Sequence, residues 1–160
     1  MKSQGPRKNS HYKQGYYGVV NPDKYVGDIS KVIYRSSWEE RLMRFCDLNE
    51  NILSWSNEPV AIPYYDPLTN VTRRYYVDFA IVTKDPNGAI TKWLLEVKPS
   101  KQIAPPKAPT RMTDKQTDNY LRTAKAYIIN QAKFEAAKLF AADKGFKFGI
   151  VTENFLFRQK

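Results

Sequence analysis

The sequence predicts a mixed α/β domain, in which a central mixed β-sheet is flanked by helices. Two observations support this class. Segments with helical spacing of apolar residues alternate with short β-rich runs along the chain. A chain of 160 residues, 42% of them hydrophobic, also suffices for one domain with one core. We therefore divide the chain into an extended basic N-terminal arm, residues 1–30, and a single domain, residues 31–160.

The first helix is expected to begin after Ser36, because Ser36 can cap it and Glu39 stands three positions on, as in a capping box. Placed at about 100° per residue, Glu39 falls on the apolar side with Leu42, whereas Glu40 falls opposite, beside Arg44. A carboxylate turned inward is costly without a reason. Glu39 is thus a candidate functional residue, although it could instead serve only the cap.

Three β-rich runs are expected after this helix, at residues 59–65, 72–84 and 90–98. The last two are joined by a turn that suits a three-residue hairpin loop ending in a glycine, with Asp85 paired to Ala89. This register sets Asp78 directly opposite Glu96, and it sets Val77 opposite Val97 on a shared apolar face.

The C-terminal part is expected to contain a proline-rich loop, a helical region and one last strand. Four prolines between residues 99 and 109 indicate the loop. Apolar residues from about 115 to 143 have helical spacing, which fits one long helix or two shorter ones. Gly145 is expected to end the helical region, and residues 146–151 alternate as a strand does.

The face that Asp78 and Glu96 share with Lys98 predicts a metal-dependent hydrolytic site. Opposed carboxylates in a hairpin repel each other, and a divalent cation between them would remove this repulsion. Their hard oxygen atoms suit Mg²⁺, with Mn²⁺ as a substitute. Lys98 could stabilise charge on a phosphate or help to deprotonate a water molecule, and Glu39 could complete the metal shell or orient water.

The charge distribution favours a polyanionic partner. The net charge of +10 is divided into +5 over residues 1–36, −2 over residues 37–98 and +7 over residues 99–160. Two basic flanks around a slightly acidic centre fit DNA held by the flanks and metal held by the centre. A single Cys46 and a single His11 argue against a zinc site, a thiol protease and a Ser-His-Asp triad. No apolar run is long enough to predict a membrane span.

The motif formed by Asp78 and then Glu96-Val97-Lys98 resembles the D…(D/E)-x-K signature of the PD-(D/E)XK nuclease superfamily, with Val77 in place of the usual proline. The context of this motif resembles the TnsA-like branch of that superfamily, and most of all the head completion nucleases of T-even-type tailed phages. The similarity extends over about residues 20–157. The segments that carry it are RSSWE at 35–39, NI at 51–52, IPY at 62–64, YVDF at 76–79, LEVKP at 95–99 and NQAKF at 130–134.

This resemblance implies a restriction-endonuclease-like fold and a Mg²⁺-dependent deoxyribonuclease acting on double-stranded DNA, both endonucleolytically and exonucleolytically. It implies that Glu39, Asp78, Glu96 and Lys98 are catalytic and that the three carboxylates bind the metal. The implied role is phage head completion and head–tail joining after DNA packaging. The implied partners are double-stranded DNA and head or portal-vertex proteins, with no membrane and no nucleotide cofactor. The implied location is the host cytoplasm during assembly, with retention in the virion as a further option.

Two other functions stay open at this point: a structural joining protein that binds DNA with a vestigial nuclease site, and a TnsA-like endonuclease acting at transposon ends. Basic residues around the predicted site are candidates for contacts with the DNA backbone, and no base-reading helix is evident. Gln116 and Tyr120 are similar to a Q-x-x-x-Y feature of some superfamily members. The expected DNA-contacting side chains are those of Arg73, Arg74, Lys101, Lys107, Arg111, Lys115 and Gln116.

Overall fold

The central sheet of this protein has four strands and helices on both of its faces. The computed structural model describes residues 13–158. In chain order the helices and strands are β1 (Gly15–Tyr16), β2 (Ile33–Tyr34), α1 (Ser37–Leu48), β3 (Ile52–Asn57), β4 (Ala61–Asp66), β5 (Val71–Tyr76), β6 (Phe79–Lys84), β7 (Ile90–Val97), α2 (Asp114–Lys144), β8 (Lys147–Val151) and α3 (Glu153–Leu156).

The strand order in the central sheet is β3-β6-β7-β8. The pairs β3–β6 and β6–β7 are antiparallel, whereas β8 runs parallel to β7, so the sheet is mixed as predicted. Strands β4 and β5 form a separate two-stranded antiparallel sheet, and β1 pairs with β2. The parallel β8 requires a crossover connection, and α2 provides it.

Two hydrophobic clusters hold the layers together, one on each face of the central sheet. On one face, Leu42 and Cys46 of α1 pack with Trp55, Phe79 and Leu95. On the other face, Ala137 and Ala141 of α2 pack with Leu94 and with the inner side of the β4–β5 sheet. Because successive strand residues point to opposite faces, Leu94 and Leu95 serve different clusters. Within residues 13–158, no helix combines the length and apolar character that crossing a bilayer would require.

The predicted start of α1 is confirmed. The Glu39 N–H donates to Ser36 Oγ at 3.1 Å, which satisfies one of the free donors at the helix N-terminus. Glu40 lies on the outer side of the helix, where it forms ion pairs with Lys13 at 3.3 Å and with Arg44 at 3.7 Å. The opposite orientations of Glu39 and Glu40 therefore follow the helical periodicity of the sequence.

The hairpin between β6 and β7 has the predicted register. The Asp85 N–H donates to the Ala89 carbonyl at 2.9 Å, and Phe79 pairs with Leu95. Gly88 has a φ of +85°, a backbone conformation that residues with a Cβ atom rarely adopt. The loop chemistry of residues 85–89 thus determines which residues face each other along both strands.

The prediction of one continuous strand over residues 72–84 is wrong. The chain bends at Val77 and Asp78, so that β5 belongs to the small sheet and β6 to the central sheet. At the bend, the Asp78 carbonyl accepts the Glu58 N–H at 2.8 Å. Val77 is fully buried in the cluster beside α2, whereas Val97 packs against the cluster beside α1. The expected shared face of Val77 and Val97 is therefore also wrong.

Strand β3 was missed by the sequence analysis, which expected three strands between the helices where the structure has five.

The region predicted as one or two helices is a single helix of 31 residues, α2, and Gly145 ends it with a φ of +78°. The proline-rich stretch is irregular apart from one 3₁₀ turn, Ser100–Gln102.

Asp47 at the end of α1 fixes the segment before β2 to the domain. Its carboxylate is fully buried and accepts hydrogen bonds from the Tyr17 hydroxyl at 2.9 Å, the Val20 N–H at 2.7 Å and the Asn21 N–H at 3.0 Å. Burial acts to raise the pKa of Asp47, but these hydrogen bonds outweigh it and the pKa is lowered. Residues 1–12 of the predicted arm lie outside the described residues, and the division at residue 30 stays a prediction.

We expect Asp47→Ala to lower the free energy of unfolding by about 2–4 kcal/mol, because it leaves several donors without an acceptor. Tyr17→Phe removes one of these hydrogen bonds and should cost about 1 kcal/mol. Since the pKa of Asp47 is lower in the folded state, its contribution is present above about pH 3.9 and is lost as the pH falls below that value. Urea unfolding between pH 7 and pH 3 measures both effects. Exposed Glu50→Ala is the control, and an Asp47→Ala stability equal to that of the control would contradict the assignment.

Candidate active site

Asp78 and Glu96 meet where the small sheet joins the central sheet. Asp78 lies at the bend before β6, and its Oδ2 accepts the Val97 N–H at 2.8 Å, next to Glu96 in the chain. Glu96 lies on β7 and is only 6% exposed. The Tyr75 hydroxyl donates to Glu96 Oε2 at 2.5 Å, and Lys98 Nζ lies 3.3 Å from Glu96 Oε1. The structure therefore brings three of the four predicted catalytic residues together.

The electrostatics of Asp78 show how crowded this site is with negative charge. Burial, then the carboxylate of Glu96, then that of Glu39 raise the pKa of Asp78 well above its ordinary value. The Val97 N–H and the Lys98 ammonium oppose this shift without cancelling it. Burial followed by the charge of Glu96 likewise raises the pKa of Tyr75, so that this hydroxyl stays protonated and remains a donor.

Glu39 lies on the first turn of α1, within electrostatic range of Asp78. Its Oε2 accepts the Arg35 N–H at 2.8 Å, and its other carboxylate oxygen lies 3.4 Å from Ser36 Oγ. Burial raises the pKa of Glu39. Because the charge of Glu39 in turn raises the pKa of Asp78, the two carboxylates lie within electrostatic range of each other. The capping interactions and the approach to Asp78 thus coexist in one side chain.

A network around Glu58 connects Glu39 with the bend. Arg35 Nε donates to Glu58 Oε1 at 2.9 Å, and the Glu58 N–H binds the Asp78 carbonyl. Glu58 itself has a φ of +45°, which is uncommon for a residue with a side chain. This contact holds the end of β3 against the bend and so determines where Asp78 projects.

The donor set fits a hard divalent cation, although not as a ready-made cage. Between residues 13 and 158, no group of three or more histidine, cysteine, aspartate or glutamate side chains is arranged to hold a metal ion. The expected shell of Glu39, Asp78 and Glu96 is therefore not assembled. Mg²⁺ commonly takes only one or two carboxylates and fills its other positions with water and phosphate oxygens. Asp78 Oδ1 accepts no hydrogen bond from any described residue, so Asp78 and Glu96 are the residues that would hold it.

Lys133 of α2 is a residue of this site that the sequence analysis did not single out. Its Nζ lies 5.6 Å from the centroid of the Tyr64 ring and 5.7 Å from that of the Tyr75 ring. Burial and then the charge of Lys98 lower the pKa of Lys133, while Glu96 and Asp78 oppose this shift. The sequence does contain a sign of this role. Ile129, Lys133, Ala137 and Ala141 are spaced four residues apart, so they lie on one side of the helix, and Lys133 is the one charged residue among three apolar ones.

The candidate DNA-contacting residues divide into one that is engaged and several that are exposed. Arg73 donates from Nε to Asp66 Oδ2 at 3.1 Å and from Nη2 to Thr69 Oγ1 at 3.4 Å, so it stabilises the β4–β5 turn. No described hydrogen bond connects the Gln116 side chain or Tyr120 to the four predicted catalytic residues. Arg73 is exposed as well, and the exposed candidates without such a side-chain contact among residues 13–158 are Arg74, Lys101, Lys107, Arg111, Lys115 and Gln116.

Two anchors attach the proline-rich loop near the site. At the start of the loop, the Ser100 backbone N–H donates to Glu153 Oε2 at 2.9 Å, and the Ser100 hydroxyl donates to the other oxygen of Glu153. Further on, Gln131 of α2 donates to the Ile103 carbonyl at 3.5 Å. These contacts hold the basic loop beside the C-terminal end of β7, where Lys98 is.

A mixed sheet between helices, with an aspartate at a strand bend opposite an E-x-K strand, defines the restriction-endonuclease-like class of PD-(D/E)XK proteins. Residues 49–153 match the family model described as TnsA-like endonuclease N terminal, and the chain belongs to this family. The chain is also 35% identical over 142 residues to the head completion nuclease of Enterobacteria phage T4, which covers 89% of this chain and 92% of that relative. No solved structure gave a significant match.

These findings confirm the resemblance and the fold class that the sequence predicted. The matched range contains Asp78, Glu96 and Lys98, while Glu39 precedes it. The catalytic and metal-binding roles of these four residues stay predictions, because similarity to a family does not test the role of any one side chain.

We expect Asp78→Asn to raise the free energy of unfolding by about 1–3 kcal/mol in EDTA at pH 7. The amide oxygen can still accept the Val97 N–H, but the repulsion by Glu96 and Glu39 is gone. Since the pKa of Asp78 is raised in the folded state, wild-type stability is lost as the pH rises from about 3.9 towards the folded-state pKa, and the variant should not show this loss. Urea unfolding measures it, with exposed Asp143→Asn as the charge-matched control. A variant less stable than wild type in EDTA would show that these carboxylates do not repel each other.

Proposed function

We propose that this protein is a Mg²⁺-dependent deoxyribonuclease, with Mn²⁺ as a substitute, that hydrolyses phosphodiester bonds of double-stranded DNA during phage head completion. The observation that carries the proposal is the junction at which Asp78, Glu96 and Lys98 meet, with Glu39 close enough to shift the pKa of Asp78. Nuclease chemistry accounts for this concentration of like charge, which would otherwise only destabilise the fold.

Asp78 and Glu96 would hold a divalent cation, which would supply Lewis-acid activation of the phosphate and would lower the pKa of a bound water molecule. The residues of the chain provide the positioning. Tyr75 and Lys98 each hold one carboxylate oxygen of Glu96, which limits the rotation of this side chain. Asp78 is held through Val97 and retains one oxygen free of hydrogen bonds. Lys98 lies beside Glu96, where its charge can stabilise the phosphorane-like transition state.

The path of the DNA is proposed from the exposed basic residues around the site. Arg74 lies on β5, three residues before the bend, and the basic residues of the loop after β7 follow Lys98 in the chain; all of these side chains are exposed. Phosphate contacts of this kind position a duplex without reading its sequence. Phosphate contacts therefore favour cleavage with little sequence preference, and we propose both endonucleolytic and exonucleolytic modes.

The role in phage assembly is proposed from the similarity to the T4 head completion nuclease, which extends over 92% of that relative. Similarity over nearly the whole of both chains favours head completion over a role at transposon ends. The proposed partners are double-stranded DNA and head or portal-vertex proteins. The proposed location is the host cytoplasm during assembly, with retention in the virion.

We expect the purified protein to nick supercoiled plasmid DNA in Mg²⁺ or Mn²⁺ and to lose this activity in EDTA. Asp78→Asn, Glu96→Gln and Lys98→Met should each lower the rate at least about 100-fold. The first two remove a carboxylate that would bind the metal, and the third removes the cation that would stabilise charge on the reacting phosphate. Glu39→Gln should lower it about 10-fold or more if Glu39 orients water or metal. The rate of conversion of supercoiled to open-circular plasmid is the measurement.

Glu40→Gln is the matched control for Glu39→Gln, because Glu40 is the adjacent residue on α1 and its partners are Lys13 and Arg44. It should retain the wild-type rate. Plasmid binding without cleavage in either metal would contradict the enzyme and support the structural alternative. Cleavage by Asp78→Asn at the wild-type rate would place the reaction elsewhere in the protein.

The role in assembly is tested by disabling the gene in the phage that encodes this chain. We expect DNA-filled heads to accumulate without tails, and we expect wild-type protein added to such heads to restore tail joining and infectivity. Electron microscopy and plaque titre are the measurements. Restoration by Asp78→Asn as efficient as by wild type would show that joining needs the fold and not the cleavage. Infectious particles formed without the gene would rule out the assembly role.

A further inference from the structure

Lys133 carries a positive charge that the proposed mechanism has not yet used. It lies on the side of α2 that faces the sheets, between Ile129 and Ala137 of the same i, i+4 row. A lysine in such a row has to bury part of its stem, and Lys133 is half-buried. Burying an ammonium group costs free energy unless an anion compensates it.

Lys98 and Lys133, the two lysines of the site, differ in whether an anion balances their positive charge. Lys98 has Glu96 as an ion-pair partner at 3.3 Å. Lys133 has no carboxylate oxygen within 4.0 Å among residues 13–158, and its only specific contacts are the rings of Tyr64 and Tyr75 at 5.6 and 5.7 Å. Cation–π contacts at these distances hold the ammonium without neutralising it. Lys133 is therefore the cation of this site that still lacks an anion.

The same contacts fix Lys133 relative to the reacting groups. Tyr75 lies between them, because its ring contacts Lys133 and its hydroxyl donates to Glu96 at 2.5 Å. Asp78 and Glu96 attract the ammonium group of Lys133, although neither forms an ion pair with it. A cation bound to these two carboxylates would offset this attraction. An anion brought by the substrate would then be the nearest charge partner for Lys133. The substrate of a nuclease provides one such anion per nucleotide.

We propose that Lys133 binds a backbone phosphate of the DNA strand that occupies the Asp78–Glu96 site. This inference rests on the proposed nuclease function and adds a contact from the helical layer, where Lys133 lies over the ring of Tyr75 and the hydroxyl of Tyr75 donates to Glu96. The rings of Tyr64 and Tyr75 orient the ammonium before DNA arrives, which reduces the entropy lost on binding. The alternative is that Lys133 only stabilises the packing of α2 against the small sheet.

The two roles predict opposite effects of Lys133→Met, which keeps the length of the side chain and removes its charge. A phosphate-binding lysine is uncompensated in the free protein, so its replacement should leave the thermal unfolding midpoint unchanged or higher. DNA affinity and single-turnover nicking should each fall about 10- to 100-fold. The slope of log K against log salt concentration should decrease by about 0.9, the value for one phosphate contact. A purely structural lysine would give a lower midpoint and an unchanged slope.

The experiment uses full-length protein and a dye-labelled duplex of arbitrary sequence, with binding measured by fluorescence anisotropy in EDTA over a salt series. Nicking is measured on supercoiled plasmid in Mg²⁺. Lys133→Arg keeps the charge and should restore most of the binding and of the slope. Lys138→Met is the control, because Lys138 lies on the same helix, is exposed and pairs with Glu135 at 3.0 Å. It should behave as wild type does.

The outcomes separate this inference from the function on which it rests. If wild type binds and cleaves DNA and Lys133→Met does so with the same slope and rate, the inference is overturned and the function stands. If wild type binds DNA without cleaving it, the nuclease function fails, while the slopes of the two variants still decide whether Lys133 contacts a phosphate. If wild type neither binds the duplex nor nicks the plasmid in Mg²⁺, both are overturned.

Discussion

Repulsion between carboxylates at one partly buried point is the constraint around which this fold is arranged. Asp78 lies near both Glu96 and Glu39, and its pKa is raised because burial and two like charges disfavour its ionised form. A hydrophobic pair at these positions would stabilise the sheet more. The fold tolerates the repulsion through hydrogen bonds that hold each carboxylate from one side: the Val97 N–H for Asp78, the Tyr75 hydroxyl for Glu96 and the Arg35 N–H for Glu39.

The bend at Val77 and Asp78 makes this arrangement possible. If residues 72–84 formed one strand, Asp78 would lie within a continuous ladder. The bend instead lets Val77 turn into the cluster beside α2, while the Asp78 carbonyl binds the Glu58 N–H. The small sheet then lies next to the site and contributes Tyr75, whose hydroxyl donates a hydrogen bond to Glu96. One irregular dipeptide thus allows two sheets to supply residues to one place.

The sequence determined those features that depend on local chemistry. The hairpin register followed from the turn Asp85–Gly88, because a three-residue loop that ends in a left-handed glycine pairs Asp85 with Ala89. The orientation of Glu39 followed from helical periodicity. The bend at Val77 could not be predicted in this way, because β-propensity is continuous through it and tertiary packing decides the break. Strand β3 was missed for a related reason: it is short, and its pairing with β6 is a contact distant in sequence.

Lys133 shows why part of a site can escape sequence analysis even when a signal exists. A lone lysine in an apolar row predicts only that its ammonium must find a partner, and many lysines meet this need by extending to solvent. Only the fold reveals that the rings of Tyr64 and Tyr75 hold it beside Glu96. The carboxylates come from α1 and the central sheet, whereas the uncompensated cation comes from α2. A backbone phosphate of DNA at this site would therefore contact a metal ion held by the carboxylates and also the ammonium group of Lys133, so that both partners carry the charge opposite to its own.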